Sequence, residues 1–213
     1  MSTHPVVRSR GFLMPIGPDL ELSNRIVKHF PEGYVGRAAE VGAADGLRYS
    51  PTFGLEKQYG WRVLCVEPNP EFAPKLRTNR AQVDLCACGK EDGEAKFHAN
   101  LHNPEAYSSL KPTGRTELFE RDKAVWDTFP VKVRTLDSLL EKWDFPQLDV
   151  LSIDTEGTEM DVLEGFDIKR WNPLLLLIES WDEGGPITAY MESKGYRKID
   201  RRADNNIYIR EDK

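Results

Sequence analysis

Short β-rich runs alternate along this chain with stretches of helical length, and that alternation limits the fold more than any other feature. Residues 38–41, 61–66 (WRVLCV), 82–86, 149–153 (DVLSI) and 174–178 (LLLLI) each read as a buried strand. Between them, residues 50–59, 71–79, 136–143 and 159–164 carry helical patterning. Gly60 and Gly165 are fitting helix ends, and the Thr135 hydroxyl can accept a free N–H of the first turn that follows it. Strand–helix repetition of this kind argues for an α/β fold with a central, mostly parallel sheet and helices on both faces.

The two ends of the chain differ from this pattern. Residues 18–31 read as a first helix with Leu20, Leu22, Ile26, Val27 and Phe30 on its apolar face, so 1–37 is expected to be a helical extension. Near the carboxyl end, a helix over 187–194 stops at Gly195. The runs 196–199 and 206–209 can then pair as a C-terminal β hairpin. In the middle, 94–98 and 131–134 read as short strands. Residues 99–130 carry Pro104, Pro112, Gly114, Pro130 and many polar side chains, and are expected to form a substrate loop or lid.

A length of 213 residues suits one domain, 1–213. With 29 Lys and Arg against 35 Asp and Glu, the net charge is −6, so nucleic acid is not expected as the main partner. The basic group Arg197, Lys198, Arg201 and Arg202 reads as a solvated hairpin face. No apolar run approaches the ~20 residues of a membrane span, and the first residues lack a secretory core. Cys65, Cys86 and Cys88 are an odd number without metal-type spacing. Reduced thiols, and from them a cytoplasmic location, are expected.

Ligands of open α/β sheets bind beyond the carboxyl ends of the strands. The residues there are 40–46, 67–69, 86–89, 154–157 and 179–182, and carboxylates recur among them. Gly42 and Gly46 allow a tight turn and close approach of a ligand. Positions 42, 44 and 47 are Gly, Ala and Leu, which is not the glycine pattern of a dinucleotide pyrophosphate site. Glu40 and Asp45 make this loop acidic, which favours a cationic ligand over a phosphate. Glu67 ends the second strand, where a carboxylate can accept hydrogen bonds from two vicinal ribose hydroxyls. Asp154, Glu156, Glu159 and Asp161 follow the DVLSI run; Asp154 reads as functional, Glu159 and Asp161 as largely structural.

These residues belong to longer matching pieces: AEVGAADG (39–46), SPTFGLEKQYGWRVLCVEPNP (50–70), TNR (78–80), VRTLDSLL (133–140), LDVLSIDTEGTEMDVLEGFD (148–167), LLLLIE (174–179) and ESKGY (192–196). With them the chain resembles the FkbM-type family of S-adenosylmethionine-dependent methyltransferases. The resemblance implies a Rossmann-like methyltransferase fold with a last antiparallel strand, and S-adenosylmethionine as cofactor. By position it implies that Glu40 and the backbone of Gly42, Ala43, Asp45 and Gly46 hold the methionyl part. Glu67, with Pro68 after it, would hold the ribose. Asp84, Cys86 and Ala87 would lie near the adenine, and Asp154 near the amino group or the reacting methyl. Many methyltransferases carry glycine where this chain has Ala44, whose methyl narrows the loop.

The resemblance points to O-methylation of a sugar or small natural-product-type acceptor. Asp154 is the first candidate base, and His98 or His102 the second. Tyr107, Ser108, Ser109 and Trp126 are of types that bind carbohydrate. Asp154, Glu156, Glu179 and Asp182 offer oxygen ligands of the kind that suit Mg²⁺ or Mn²⁺, but their spacing is not diagnostic and no metal site is assigned from the sequence. The competing readings are a nucleotide-linked oxidoreductase, which should have phosphate-binding glycines, and a non-catalytic cofactor-binding module.

Overall fold

The computed structural model describes residues 6–9, 12–15, 17–101, 108–111, 125–181 and 184–211. In chain order the elements are β1 (Val6–Ser9), β2 (Phe12–Pro15), α1 (Leu20–Ile26), β3 (Arg37–Val41), α2 (Phe53–Lys57), β4 (Arg62–Val66) and α3 (Ala73–Asn79). Next come β5 (Gln82–Asp84), β6 (Ala87–Cys88), β7 (Gly93–Asn100), β8 (Trp126–Arg134), α4 (Leu136–Lys142) and β9 (Val150–Ile153). The last are α5 (Glu159–Glu164), α6 (Ile168–Trp171), β10 (Leu175–Glu179), α7 (Pro186–Ser193), β11 (Tyr196–Arg202) and β12 (Asn205–Arg210).

The central sheet has seven strands in the order β11-β12-β10-β9-β3-β4-β5. β5, β4, β3, β9 and β10 run parallel to one another. β12 enters antiparallel between β10 and β11, which is the expected C-terminal hairpin. The strands are apolar at consecutive positions because both faces of the sheet are covered. Side chains alternate between faces. Ala39, Val41, Leu64, Val66, Leu151, Ile153, Leu176 and Ile178 pack with α4, α5, α6 and α7. Ala38, Val63, Cys65, Val150, Leu175 and Leu177 pack with α1, α2 and α3. The same alternation puts Glu40 and Ser152 on the α1–α3 side, among buried neighbours.

Two expectations change. The amino-terminal extension is not wholly helical, because β1 and β2 pair as a hairpin ahead of α1. The irregular stretch 99–130 is shorter than its composition suggests. β7 continues to Asn100, and β8 starts at Trp126 and pairs with it from Gly93↔Val133 to Asn100↔Trp126. Pro130 sits inside β8. β6 pairs only with Val133 and Arg134, so among the described residues one side of β8 is unpaired at Pro130, where a residue without an N–H is tolerated. These strands form a second sheet, β6-β8-β7. The three cysteines are buried and unbridged, though Cys86 lies between β5 and β6 and shares no strand with Cys88. Among the described residues no helix is long and apolar enough to cross a membrane.

Candidate active site

An open cleft crosses the carboxyl ends of β3, β4 and β9. Gly42 closes the gap between these strand ends. Its N–H donates to Val66 O (2.9 Å), as does that of Ala43 (3.1 Å), while Asp154 N–H donates to Val41 O (2.9 Å). Gly42 has φ +84°, and a Cβ there would overlap the Asp154 carbonyl oxygen. Ala44 follows at φ +44°, unusual for a residue with a side chain, and its N–H donates to Glu67 Oε2 at 2.9 Å. Ala44 therefore keeps a left-handed backbone despite its methyl, and it borders the cleft.

Glu67 also borders the cleft and is buried. Its Oε1 accepts from Asn69 N–H at 2.8 Å, so a backbone amide holds each oxygen in place. Burial pushes this carboxyl up to about 7, against the pull of the two amides. The remaining lone pairs can accept two further hydrogen bonds. Pro68 and Phe72 continue the wall, with Cys86, Ala87 and Cys88 opposite. Burial and the nearby Asp84 push the Cys86 thiol up to about 12, so it stays neutral.

The structure gives several expected cofactor contacts other work. Asp45 and Gly46 do not border the cleft. Asp45 Oδ1 accepts from Leu47 N–H and Arg48 N–H, both at 2.9 Å, and so caps the turn that leaves the loop. Gly46 (φ +73°) packs under α3: a Cβ would lie 2.6 Å from Leu76 Cδ1 and from Arg80 Cγ. Glu40 touches the cleft, but its Oε2 accepts from Ser50 Oγ (2.8 Å), Thr52 Oγ1 and Arg80 Nη1 (3.1 Å). Asp84 faces away. It accepts from Lys142 Nζ (2.6 Å) and Trp143 Nε1 (2.9 Å), and these bonds hold it below the usual carboxylate range although burial opposes them. Only its carbonyl oxygen serves the site, accepting from Glu67 N–H at 3.1 Å.

Asp154 opens into the cleft. Its carboxyl is pushed well above the usual range, first by removal from bulk water and then by Glu156 and Glu159. Glu179, behind it at the end of β10, is pushed up by burial and by Asp154, and accepts from Trp181 Nε1 at 2.8 Å. Asp154, Glu156 and Glu179 each bring an oxygen within 4.8 Å of the others; Asp182 lies outside the described residues. An acidic cluster alone does not define a metal site, and a metal is not assigned. Glu159 is structural as expected: its Oε1 accepts from Thr155 N, Thr155 Oγ1 and Gly157 N, each at 3.0 Å.

His98 does not join this centre. On β7, Phe97 faces the cleft, so the alternation of the strand turns His98 the other way, where its Nδ1 meets Thr128 Oγ1 at 3.0 Å. His102 and Tyr107 lie outside the described residues. Ser108 and Leu110 do border the cleft, and Ser109 Oγ donates to Thr155 O at 3.2 Å, joining this segment to the Asp154 loop. Trp126 lies on β8 opposite Asn100 and away from the cleft lining.

The model of the Methyltransferase FkbM domain matches residues 40–198, three quarters of the chain and the whole span from the glycine loop to β11. The chain belongs to the FkbM methyltransferase family. Two curated relatives agree: Methyltransferase 1 of Beauveria bassiana (strain ARSEF 2860), 25% identical over 162 residues, and Methyltransferase sdnD of Sordaria araneosa, 25% identical over 174. The matches cover 67% of this chain in each case, and 65% and 67% of the relatives' lengths. A solved structure, the methyltransferase FkbM of Methylobacillus flagellatus KT, superposes with a TM-score of 0.54 at 16% identity. It covers 90% of this chain and 50% of that one, and shows the fold alone.

In this FkbM domain the most important residue missed by sequence reasoning is Arg80. It is buried, and its guanidinium reaches Glu40, Glu56, Gly46 O, Ser50 and Thr52. The TNR piece (78–80) marks Arg80 as part of the family pattern but gives it no role. The acidic loop it pairs with was the available clue, since buried carboxylates need a partner. Phe97 and Leu110 were also missed: Phe97 lies in the expected strand 94–98, but the pairing that turns it to the cleft was not read, and Leu110 follows a bridge to that strand.

Proposed function

We propose that the cleft binds S-adenosylmethionine and that the chain, acting as one domain over 1–213, transfers the methyl group to a hydroxyl of a sugar or small natural-product-type acceptor. The observation that carries the reading is Glu67. Its carboxylate is fixed at the end of β4 by Ala44 N–H and Asn69 N–H, beside the Gly42–Ala44 turn, where it can accept from a ribose diol. The family match and the relatives' names support methyl transfer as the reaction. Val66, Phe72 and Ala87 supply apolar walls for a base, and Asp154 supplies negative charge for the amino group or sulfonium.

When bound, the cofactor supplies an electrophilic methyl on a positive sulfur. The chain's part is to align, to exclude water and to accept a proton. Asp154 is the proposed acceptor of the hydroxyl proton. A cation beside it favours the ionised form that its carboxylate neighbours oppose.

Calorimetry with S-adenosylmethionine, S-adenosylhomocysteine and NAD tests the cofactor. Micromolar binding of the first two is expected, lost in Glu67→Ala. The pH dependence is specific. A diol donates to the carboxylate, so binding favours the ionised form of a group that titrates near 7 when free. Affinity for S-adenosylhomocysteine should rise with pH, about tenfold from pH 6 to pH 8, and then level off. Glu67→Gln should flatten that profile. Absence of binding by a folded protein would overturn the reading.

Asp154→Asn should lower turnover by about 10²–10⁴-fold, measured as S-adenosylhomocysteine release against a panel of hydroxyl acceptors. Stability should be kept or rise, because the residue holds the fold through its backbone and the change removes one crowded acid. Wild-type turnover in this variant would remove Asp154 from the mechanism.

A further inference from the structure

A second groove lies back to back with the cleft. The chain from β5 to β6 is the wall between them. Cys86 borders both, with Ala87 and Cys88 on the cleft side and Val83 and Leu85 on the groove side. From the other walls α3, β8 and α4 bring in Arg77, Lys132, Arg134 and Lys142.

Two carboxylates also enter the groove, and both are engaged. Asp84 takes Lys142 Nζ at 2.6 Å. Asp92 takes Arg134 Nη1 at 3.0 Å, Thr135 N–H at 2.8 Å and Ser138 Oγ at 3.2 Å. Arg77 and Lys132 form no ion pair among the described residues; Glu94 stands opposite Lys132 across the β7–β8 ladder, outside the groove lining. Four cations against two anions leave a positive excess of two in a chain whose net charge is −6. The Arg134–Asp92 pair is exposed on both sides and so is weak, while in the Lys142–Asp84 pair the lysine is exposed (61%) and the carboxylate is not (12%), so Arg134 is the paired cation most readily shared with a ligand.

We infer that this groove is a binding site for a small phosphorylated ligand, with Arg77 and Lys132 as its main anion contacts and the half-buried Val83 and Leu85 beside the uncharged part. The excess of two positive charges matches a phosphoryl dianion, and an arginine fork can hold two of its oxygens. Asp84 and Asp92 flank the cations and would repel a continuous phosphate track, which disfavours nucleic acid. The inference is independent of the cofactor reading, since no part of it uses the cleft.

The test is a titration of the wild-type chain with inorganic phosphate and with phenyl phosphate at constant ionic strength, followed by backbone amide NMR shifts. Shifts should concentrate at 83–86, 132 and 138–142. Arg77→Ala combined with Lys132→Ala should weaken binding about tenfold or more. Both side chains are exposed, so an unchanged melting temperature should accompany the loss. Tighter binding of phenyl phosphate would identify an organic monoester as the ligand class, and equal binding the free anion. If neither probe shifts the groove, or if the double variant binds as tightly as wild type, the site does not exist. Neither readout needs S-adenosylmethionine, so failure here is distinct from failure of the proposed function.

Discussion

Gly42→Ala is expected to destabilise the chain by more than about 4 kcal/mol, or to leave it unable to fold. Two costs combine. The left-handed backbone at φ +84° disfavours any side chain, at roughly 1–2 kcal/mol. The larger cost is steric. The added Cβ would occupy the position of the Asp154 carbonyl oxygen, which is backbone at a strand end and has nowhere to move. Relief requires β3 and β9 to separate, and that breaks Asp154 N–H to Val41 O and shifts Gly42 N–H from Val66 O. Gly60→Ala isolates the first cost, because Gly60 has φ +69° and open space around it. Chemical denaturation of both variants should show a small loss for Gly60→Ala and a loss several times larger for Gly42→Ala. Similar losses would mean that the strand ends are not locked together as described, and the cleft floor would have to be redrawn.

That close approach shows what the sequence could reveal and what it could not. The glycine loop, the strand before it and Glu67 were legible because each is a local pattern: an apolar run, then residues that a turn requires. Glu67 bonds to the next turn and to Ala44, so its place depends on contacts that the order of the strands implies. Asp45 and Asp84 were misplaced for one reason. An acid after a strand can face the ligand, cap its own turn or reach a neighbouring helix, and only the packing decides. Asp45 caps, and Asp84 reaches Lys142 and Trp143 on the far side of the chain. The second sheet was legible only in part: 94–98 and 131–134 read as strands, and composition hid the rest. Trp126–Arg134 carries Asp127, Thr128, Pro130 and Lys132, and it is a strand because β7 pairs with it along its full length. Such pairing is a tertiary fact that propensity does not encode. His98 failed on parity alone, since one step along β7 separates a residue in the cleft from one outside it.

Arg80 carries the other large expected effect. Its side chain is fully buried, with Glu40 and Glu56 as ion-pair partners at 3.1 and 2.6 Å. Removing one partner of a buried ion pair costs about 3–5 kcal/mol, because the charges left behind have neither water nor a counter-ion. Arg80→Met should therefore destabilise by that order. Arg80→Lys should rescue little, because a single ammonium cannot also reach Gly46 O, Ser50 Oγ and Thr52 Oγ1. Those contacts hold the 46–52 segment against α3, so cofactor affinity should fall with stability. The pH dependence separates lost charge pairing from lost packing. In the wild type, burial opposes ionisation of Glu56, but Lys57 and Arg80 hold it below the usual carboxylate range. Its contribution is thus present at neutral pH and disappears on acidification. Without Arg80, burial is opposed only by Lys57 and the Glu56 carboxyl rises, so the pairing that acid removes from the wild type is already missing from the variant. The wild type therefore loses more stability than the variant as the pH falls from 7 towards about 4, and the variant's deficit narrows. Denaturation at the two pH values measures this. Adding Glu56→Gln to Arg80→Met should recover part of the loss at pH 7 and remove much of the pH dependence. A deficit that is the same at both pH values would show that Arg80 acts by filling space, and that the acidic loop is not held by its charge.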